Sequence, residues 1–365
     1  MTSHIAYMSR ALQLAERGLF TTAPNPRVGC VIVVNDVIVG EGWHQRAGEG
    51  HAEVNALKQA GLKAKGADCY VTLEPCSHFG RTPPCADTLI NAGVRRVFIA
   101  MMDPNPRVAG SGIAKLEAAG IATTVGILEQ QAEKLNIGFC QRMRTGRPYI
   151  RSKIAMSVDG RTAMASGESK WITGSAARQD VQQLRARSSA ILTGIGTILA
   201  DNPALSVRPE AWYPQQTIRQ PLRVVVDSQL RMPDDAKIFE DNAQVLIATS
   251  SAIKAVSHAE VCHLPSINNQ IDLAALMTEL AQREINEVMV EAGSQLNGAL
   301  LAAGLIDELV IYMAPKIMGD GAKGIFHLPD FTSMADNIDL QITDIRPVGD
   351  DWRITALPKY NKDNE

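Results

Sequence analysis

Apolar residues recur at helical spacing near the amino terminus and then give way to short runs of valine and isoleucine. Ile5, Met8, Leu12, Ala15 and Leu19 fall on one helical face, which predicts an amphipathic helix over residues 4–18. The β-branched runs are typical of strands. Strands that alternate with helices indicate a layered α/β domain. The other predicted elements of the first half are strands at 28–34, 37–41, 68–73, 94–101 and 121–125, and helices at 51–60, after Pro84, at 111–119 and at 127–144.

The second half repeats this alternation after a polar turn, Thr145-Gly146-Arg147-Pro148. A chain of 365 residues is long enough for two domains, and we predict domains at 1–145 and 146–365. Residues 194–197 are expected to form a short turn, and 229–285 carries no usable motif. The elements predicted here are strands at 149–158, 190–193, 222–227, 287–291 and 309–314, helices at 175–187 and within 292–300, and a hairpin of 340–345 with 352–357.

Composition and charge exclude several classes of protein. The net charge of -3 offers no basic surface for nucleic acid. No apolar run approaches the ~18 residues of a membrane span, and the amino terminus lacks the apolar core of a signal peptide. Six cysteines in a chain of this length do not form a disulfide-rich pattern. We therefore expect a cytoplasmic protein without nucleic-acid or membrane partners. Separately from these observations, we expect a homo-oligomer (a dimer or a tetramer).

The strongest chemical signal is His51-Ala52-Glu53 followed by Pro75-Cys76 and then Cys85. One histidine and two cysteines are ligands that zinc prefers, and three protein ligands leave a fourth position for water. Bound Zn2+ lowers the pKa of that water towards neutrality. Glu53, two residues after His51, can take the proton from that water and pass it to a leaving amine. H-x-E followed by P-C and a second Cys is the pattern of zinc-dependent nucleobase deaminases, in which the glutamate is a general acid/base and not a ligand.

Two other interpretations of these residues remain open. His51 could be an ordinary residue at a helix start, and Cys76 and Cys85 could be small buried side chains. A structural zinc would require a fourth protein ligand, for which His78, Cys69 and Cys30 are candidates by residue type. The gap between Cys76 and Cys85 is also longer than the C-x-x-C spacing that is commonest in deaminases.

A five-residue sequence occurs twice, at 24–28 and at 104–108. The two copies could be two similar turns, or two rigid loops that flank one pocket. In the second case an asparagine such as Asn25 could match both donors and acceptors on a pyrimidine edge.

The second half contains weaker signals. Trp171 lies in a polar loop and could be a core residue or could stack on a flat ring. Residues 287–300 are predicted to contain a strand, a glycine-rich turn and the first turn of a helix, which together could form a cradle for phosphate. However, Gly293 and Gly298 do not match the dinucleotide-binding fingerprint.

The motifs of the first half resemble those of the bifunctional deaminase–reductases of riboflavin biosynthesis. The resemblance rests on 24–29, on His51-Ala52-Glu53 and on 75–85, including the long gap between the cysteines. It implies a cytidine-deaminase-like, three-layer α/β/α domain. That domain would remove an amino group from a phosphoribosylated diaminopyrimidinone, the small-molecule substrate.

The second half resembles the reductase half of the same family at 153–161, 171–173, 201–205 and 290–294. The resemblance implies a dihydrofolate-reductase-like α/β domain that uses NADPH to reduce the ribosyl group to ribityl. The residues implied to bind the cofactor are Ala155, Trp171, Thr197, Asp201, Ser228, Gly293, Ser294, Gln295, Leu296, Asn297, Gly298 and Ala299. Those implied to bind the substrate are Ser169, Arg185, Leu205, Arg208 and Glu291.

Physical chemistry supports two of these residues, because guanidinium groups bind phosphate in a bidentate manner. Arg208 and Arg185 therefore suit a sugar phosphate, although Arg185 could instead lie on a solvated helix face.

Two other protein classes remain as alternatives. A base-modifying enzyme of the tRNA-deaminase kind would need a basic groove with aromatic residues, and a non-catalytic zinc module would need a fourth ligand.

Overall fold

The computed structural model describes residues 2–77, 83–106, 108–208, 218–241, 243–252 and 254–360. The chain divides into two compact units, Met1–Arg147 and Pro148–Glu365. No helix within the described ranges is both long enough and apolar enough to cross a membrane.

The first unit is built around a five-stranded sheet in the order β2-β1-β3-β4-β5. β1 runs antiparallel to both of its neighbours, whereas β3, β4 and β5 are parallel. The strands are β1 (Gly29–Val34), β2 (Val37–Trp43), β3 (Asp68–Val71), β4 (Arg96–Ile99) and β5 (Ala122–Val125). The helices are α1 (Thr2–Glu16), α2 (Ala52–Ala60), α3 (Cys85–Ala92), α4 (Ser111–Ala118), α5 (Glu129–Leu135) and α6 (Ile137–Thr145).

Helices cover both faces of this sheet. One apolar cluster joins α2, α3 and α4 to the sheet through residues such as Ala56, Leu89 and Leu116. A second cluster joins α1, α5 and α6 to the opposite face through residues such as Met8 and Cys140. The three-layer α/β/α arrangement implied by the family resemblance is therefore confirmed.

The continuous helix predicted over 127–144 is wrong, because the segment breaks at Asn136 into α5 and α6. The buried Asn136 carboxamide forms two hydrogen bonds with the backbone of Arg27: Arg27 N donates to Oδ1 at 2.8 Å, and Nδ2 donates to Arg27 O at 3.0 Å. Asn136 itself adopts φ -108° and ψ 23°, outside the helical region. A tertiary contact thus interrupts a locally helical pattern.

The second unit contains a nine-stranded sheet in the order β11-β10-β9-β8-β14-β6-β15-β18-β17. Two further pairs of strands, β12–β13 and β7–β16, form separate two-stranded sheets. The strands of the second unit are β6 (Tyr149–Ser157), β7 (Arg161–Ala163), β8 (Ala190–Gly194), β9 (Leu222–Val226), β10 (Val245–Thr249), β11 (Glu260–His263), β12 (Ser266–Ile267), β13 (Gln270–Ile271), β14 (Glu287–Val290), β15 (Glu308–Ala314), β16 (Lys323–Gly324), β17 (Asp339–Val348) and β18 (Asp351–Lys359). Its helices are α7 (Ser175–Arg187), α8 (Ile195–Asp201), α9 (Leu273–Gln282) and α10 (Ser294–Ala302).

Seven neighbouring strands of this sheet, β11, β10, β9, β8, β14, β6 and β15, are parallel. Their carboxyl ends therefore lie along one edge of the sheet. α9 and α10 pack on one face through residues such as Leu280 and Leu300. α7 and α8 pack on the other face through residues such as Leu184 and Ile198. The α/β class is confirmed here too, and the carboxyl edge is where folds of this kind bind ligands.

Two local predictions for the second unit need correction. The segment 194–197 is not a short turn, because Gly194 ends β8 and the chain is helical from Ile195 onward, in α8. The stretch 229–285, which carried no motif, contains β10 and β11 of the sheet and helix α9.

The predicted closing hairpin is present as β17 and β18, and β17 is the edge strand. Ile342 pairs with Ala356, Ile345 with Ile354, and Pro347 with Trp352. Because paired residues share a face, one face of the hairpin carries a set of large apolar side chains that are each between 45% and 55% exposed. We call this set the apolar hairpin face; it consists of Leu340, Ile342, Ile345 and Trp352.

Candidate active sites

The three predicted metal ligands lie together in the first unit. His51 is the residue immediately before α2, Cys85 is the first residue of α3, and Cys76 follows the end of β3. Their ligand atoms all lie within 4.8 Å of one another. His51 Nδ1 is 3.2 Å from Cys85 Sγ and 3.7 Å from Cys76 Sγ. Two helix starts and one strand end thus bring the three donors to one point.

The electrostatics of this cluster favour a thiolate at Cys76. Hydrogen bonds from the Cys85 thiol, His51 and the Cys85 backbone N–H lower the pKa of Cys76 to about 4, and the Cys85 N to Cys76 Sγ distance is 3.3 Å. The hydrogen bond with Cys76 also raises the pKa of His51. One imidazole and two sulfurs at these separations fit the donor set of a zinc site with three protein ligands.

Glu53 lies in the first turn of α2 and is 3% exposed. Burial raises the pKa of its carboxyl group to about 7, while the charge of His51 opposes the shift. A carboxyl group with a pKa near neutrality can both accept and release a proton at physiological pH.

Asn25 belongs to the same neighbourhood through a histidine that the sequence analysis missed. Asn25 Nδ2 lies 3.0 Å from His44 Nε2, and His44 Nδ1 lies 3.2 Å from the carbonyl oxygen of Gly50. A carbonyl only accepts, so Nδ1 carries the proton and Nε2 accepts from Asn25. Burial lowers the pKa of His44, whose ring centroid is 5.4 Å from that of His51.

Parts of the sequence motifs lie outside the described residues. These are His78, the stretch 80–82 and Arg107 of the second five-residue copy. Of the other proposed fourth ligands, Cys30 and Cys69 are fully buried on β1 and β3, with their sulfurs 3.5 Å apart. Neither belongs to the cluster of possible metal ligands found among the described residues.

In the second unit, several residues predicted to bind substrate and cofactor follow the carboxyl ends of parallel strands, as Asp201, Ser228 and Glu291 do. Arg185 of α7 donates two hydrogen bonds to the carboxylate of Glu291, which follows β14. Burial alone would raise the pKa of Glu291, but the charges of Arg185 and Lys153 hold it below its ordinary value. Lys153 of β6 has a pKa lowered by burial, and Glu291 opposes that shift.

A second group forms around Asp201 at the end of α8. Ser169 Oγ donates to Asp201 Oδ1 at 3.3 Å, and Lys170 Nζ donates to the Asp201 carbonyl at 3.3 Å. Trp171 is 64% exposed, with the Arg178 guanidinium 4.7 Å from its ring centroid. The core alternative for Trp171 is therefore excluded, and one face of its ring contacts a cation.

The remaining predicted residues occupy several environments. Leu205 is buried, whereas the Arg208 side chain is exposed and its backbone N–H donates to Gln182 Oε1 at 2.9 Å. Ala155 lies in β6 and Thr197 in α8, and the Ser228 carbonyl accepts a hydrogen bond from Ser251 Oγ at 2.7 Å.

Residues 293–299 divide into two groups with different surroundings. A side chain at Gly293 would meet open space, and Gly293 caps α10, which Ser294 and Gln295 begin. Asn297, in contrast, is buried and bonded to Ser152 and Ala292. Leu296 packs against the apolar core and Ala299 is half-buried. Gly298 lies so close to the backbone of His327 that a Cβ would stand 2.0 Å from the His327 carbonyl oxygen.

Comparison with known proteins covers nearly the whole chain. Residues 1–101 match the cytidine and deoxycytidylate deaminase zinc-binding region, and residues 148–354 match the RibD C-terminal domain. The riboflavin biosynthesis protein RibD of Escherichia coli is 53% identical over 354 residues, which are 94% of this chain and 96% of that protein. The Haemophilus influenzae RibD is 51% identical, with 97% of both chains covered.

This chain belongs to the RibD family of riboflavin biosynthesis proteins.

Solved structures of the RibD family agree in fold. Acinetobacter baumannii RibD superimposes with a TM-score of 0.93 at 46% identity and covers 98% of this chain and 99% of its own. A Thermotoga maritima protein described as a diaminohydroxyphosphoribosylaminopyrimidine deaminase/5-amino-6-(5-phosphoribosylamino)uracil reductase has a TM-score of 0.88 at 33% identity, with the same coverage. The protein is thus a bifunctional deaminase and reductase of riboflavin biosynthesis, with zinc and NADPH as cofactors.

Three residues beside the predicted sites had no predicted role. They are His44 beside Asn25, Lys153 beside Glu291, and Glu74 two residues before Cys76. Lys153 offered the clearest signal, because it is a lysine in the middle of a largely buried strand. The contacts of His44 and Glu74 depend on distant segments and leave no local pattern.

Proposed function

We propose that His51 Nδ1, Cys76 Sγ and Cys85 Sγ hold the zinc ion of the deaminase and that Glu53 carries the proton in hydrolysis. The observation that carries this proposal is the convergence of the three donor atoms within 4.8 Å, with a buried carboxyl group two residues after the histidine. Among the described residues three protein donors converge, and a zinc ion with three protein ligands keeps its fourth position for water, as in a catalytic site.

The chemistry of each half follows from its cofactor and from the residues around it. When bound, zinc supplies an activated water and NADPH supplies a hydride. In deamination, an oxygen of the Glu53 carboxylate takes up a proton and releases it to the departing amino group. We assign the pyrimidine edge to the carboxamide of Asn25, whose amino group donates a hydrogen bond to His44.

The substrate of the deaminase is then a phosphoribosylated diaminopyrimidinone, and the reductase converts the ribosyl group of its product to ribityl. We assign substrate binding in the second half to Ser169, Arg185, Leu205, Arg208 and Glu291. Arg208 has an exposed guanidinium and suits the sugar phosphate. Glu291 and Lys153 form a polar group at the carboxyl edge that can orient the opened sugar.

NADPH is assigned to the same edge of the sheet. The start of α10 offers unpaired backbone N–H groups, and the space above Gly293 is open, which fits a diphosphate. Ser294 and Gln295 share this turn, whereas Leu296, Asn297, Gly298 and Ala299 support it from within. The nicotinamide and ribose are assigned to Ala155, Trp171, Thr197, Asp201 and Ser228.

Three further features complete the proposal. The functional domains are residues 1–145 and 146–365. The protein forms a homo-oligomer through the apolar hairpin face, because an exposed apolar patch on an edge strand is typical of a subunit interface. It acts in the cytoplasm, where NADPH is supplied and where its six unpaired cysteines remain reduced.

The experiment that tests the function uses the full chain with the phosphoribosylated pyrimidine. Ammonia should be released without NADPH, and ribityl product should form only when NADPH is added. Removal of zinc by a chelator should stop ammonia release while reduction of the already deaminated pyrimidine continues. Undiminished ammonia release after zinc removal would refute the assignment.

A further inference from the structure

Glu74 is a buried carboxylate that accepts hydrogen bonds from four backbone N–H groups. It is 3% exposed. Its Oε2 accepts from Asp103 N at 3.1 Å and from Gly110 N at 3.0 Å, and its Oε1 accepts from Gly112 N at 2.9 Å and from Ile113 N at 3.4 Å. Both oxygens are therefore engaged with one segment, residues 103–113, which leads into α4.

The segment from Glu74 to Ser77 contacts 101–113 at both of its ends. Glu74 N donates to the Met101 carbonyl at 3.0 Å, and the Ser77 and Ser111 hydroxyls are 2.6 Å apart. Between these contacts, a Cβ on Gly112 would lie 1.9 Å from the Pro75 carbonyl oxygen. The first turn of α4 thus packs directly against the backbone that carries Cys76.

The ionised form of Glu74 suits this position for two reasons. A carboxylate offers only acceptors, so it can satisfy N–H groups on both of its oxygens. Two of its donors, Gly112 and Ile113, belong to the first turn of α4, where a negative charge is stabilised by the helix dipole. Charge-assisted hydrogen bonds of this kind are stronger than neutral ones.

We propose that Glu74 is a positioning residue for deamination, because it ties the backbone around Cys76 to the 103–113 segment and so fixes where the Cys76 sulfur meets the metal. This inference rests on the proposed zinc ligation by Cys76. Glu74 does not touch the substrate. It acts through Cys76 by restricting the backbone from Glu74 to Ser77.

Glu74→Gln is the direct test, because it preserves the size of the side chain and removes its charge. A carboxamide has one acceptor oxygen, so its amino group would face two of the N–H donors. Loss of a partner that orients a metal ligand weakens metal binding by roughly 10–100-fold. We expect that loss of zinc affinity, measured on the full chain by competition with a chromogenic chelator.

Three other readouts separate positioning from a general effect on folding. The absorption spectrum of the cobalt-substituted variant should shift, because the thiolate-to-metal geometry changes. The deaminase kcat should fall with little change in KM. Reductase activity on deaminated substrate should match the wild type. Glu129→Gln, which neutralises an exposed carboxylate of the same unit, is the matched control and should behave as wild type in all of these.

The outcomes distinguish this inference from the function on which it rests. Wild-type zinc affinity and an unchanged cobalt spectrum in Glu74→Gln, even with reduced thermal stability, would overturn the positioning role. Zinc binding at full strength in Cys76→Ser would instead refute the proposed ligand set. If Glu74→Gln does not fold, Ser77→Ala removes only the outer contact, and weaker zinc binding supports the inference whereas wild-type binding overturns it.

Discussion

Arg185 and Glu291 form a bidentate ion pair inside the second unit. Arg185 Nε lies 2.5 Å from Glu291 Oε1, and Arg185 Nη2 lies 3.0 Å from Glu291 Oε2. The third guanidinium nitrogen, Nη1, donates to the Ser206 carbonyl at 3.0 Å. Both side chains are largely buried, at 13% and 12% exposure. Arg185 therefore fixes the orientation of Glu291 before any substrate binds.

Removing Arg185 should destabilise the second unit. Arg185→Met leaves the buried Glu291 carboxylate without its two hydrogen-bond donors and with Lys153 as its remaining counter-charge, so we expect the free energy of unfolding to fall by about 3 kcal/mol. Chemical unfolding of the full chain measures this change, with the exposed Arg231→Met as the control. The double variant Arg185→Met/Glu291→Leu should recover most of the stability but no reductase activity. A single variant as stable as the control would contradict the role of the pair.

Arg208 differs from Arg185 because its side chain is exposed and only its backbone N–H is fixed, by Gln182. Arg208→Ala should therefore leave stability unchanged and weaken binding of the sugar phosphate. A hydrogen bond to a charged group contributes about 1.5–3 kcal/mol, so the KM of the reductase for its substrate should rise by roughly 10–100-fold with kcat nearly constant. Arg231→Ala is the control. An unchanged KM would remove Arg208 from the site.

The metal-ligand cluster was predictable because each of its members sits at a locally encoded position. His51 precedes a helix, Cys76 follows a strand and Cys85 begins a helix after two prolines. Such boundaries are encoded by neighbouring residues. Short β-branched runs likewise predicted the five strands of the first sheet and all strands of the second except β10 and β11.

The features that were missed depend on residues far apart in sequence. Glu74 is bonded to donors 29 to 39 positions later, and Asn136 breaks its helix through Arg27, 109 positions earlier. Burial within the folded unit lowers the pKa of Lys153, and the charge of Glu291, 138 positions later, opposes that shift. No local pattern encodes these partners, so only the folded chain reveals them.

Glu53→Gln should abolish deamination while the protein still binds zinc. The carboxamide cannot take up and release a proton, which lowers the rate by roughly 10²–10⁴-fold. Ammonia release and zinc content are measured together, and reduction of the deaminated substrate on the same preparation shows that the second unit is intact. Glu129→Gln serves as the charge-matched control. Deamination near the wild-type rate would exclude Glu53 as the proton carrier.

The carboxylate of Asp159 ties the loop after β6 to residues 318–319 in a pH-dependent way. It accepts from Ser157 Oγ at 2.5 Å, Met318 N at 3.0 Å and Gly319 N at 2.8 Å. These hydrogen bonds, that of Ser157 foremost, lower the pKa of Asp159 to about 2. The folded pKa lies below the unfolded value of about 3.9, so the contribution to stability is complete above roughly pH 4 and is lost as pH falls towards 2.

Asp159→Asn should therefore be less stable than the wild type at neutral pH by an amount that shrinks in acid. Chemical unfolding of both proteins over a pH series measures the difference. The difference should be constant above roughly pH 4 and should narrow below it. A difference that stays constant into strong acid would show that the charge of Asp159 contributes nothing.

The apolar hairpin face should hold subunits together. Among the described strands, β17 pairs only with β18 and so lies at the edge of the sheet. On the apolar hairpin face, Ile342 pairs with Ala356 and Ile345 pairs with Ile354. A lysine at Ile342 would put a charge in the centre of a subunit contact, where an unpaired charge is costly. We expect Ile342→Lys to sediment as a monomer, whereas Gln341→Lys, on the opposite face of the same strand, keeps the wild-type assembly. Sedimentation velocity of the two variants at matched concentrations decides the matter, because a wild-type sedimentation coefficient for Ile342→Lys would exclude this face as the interface.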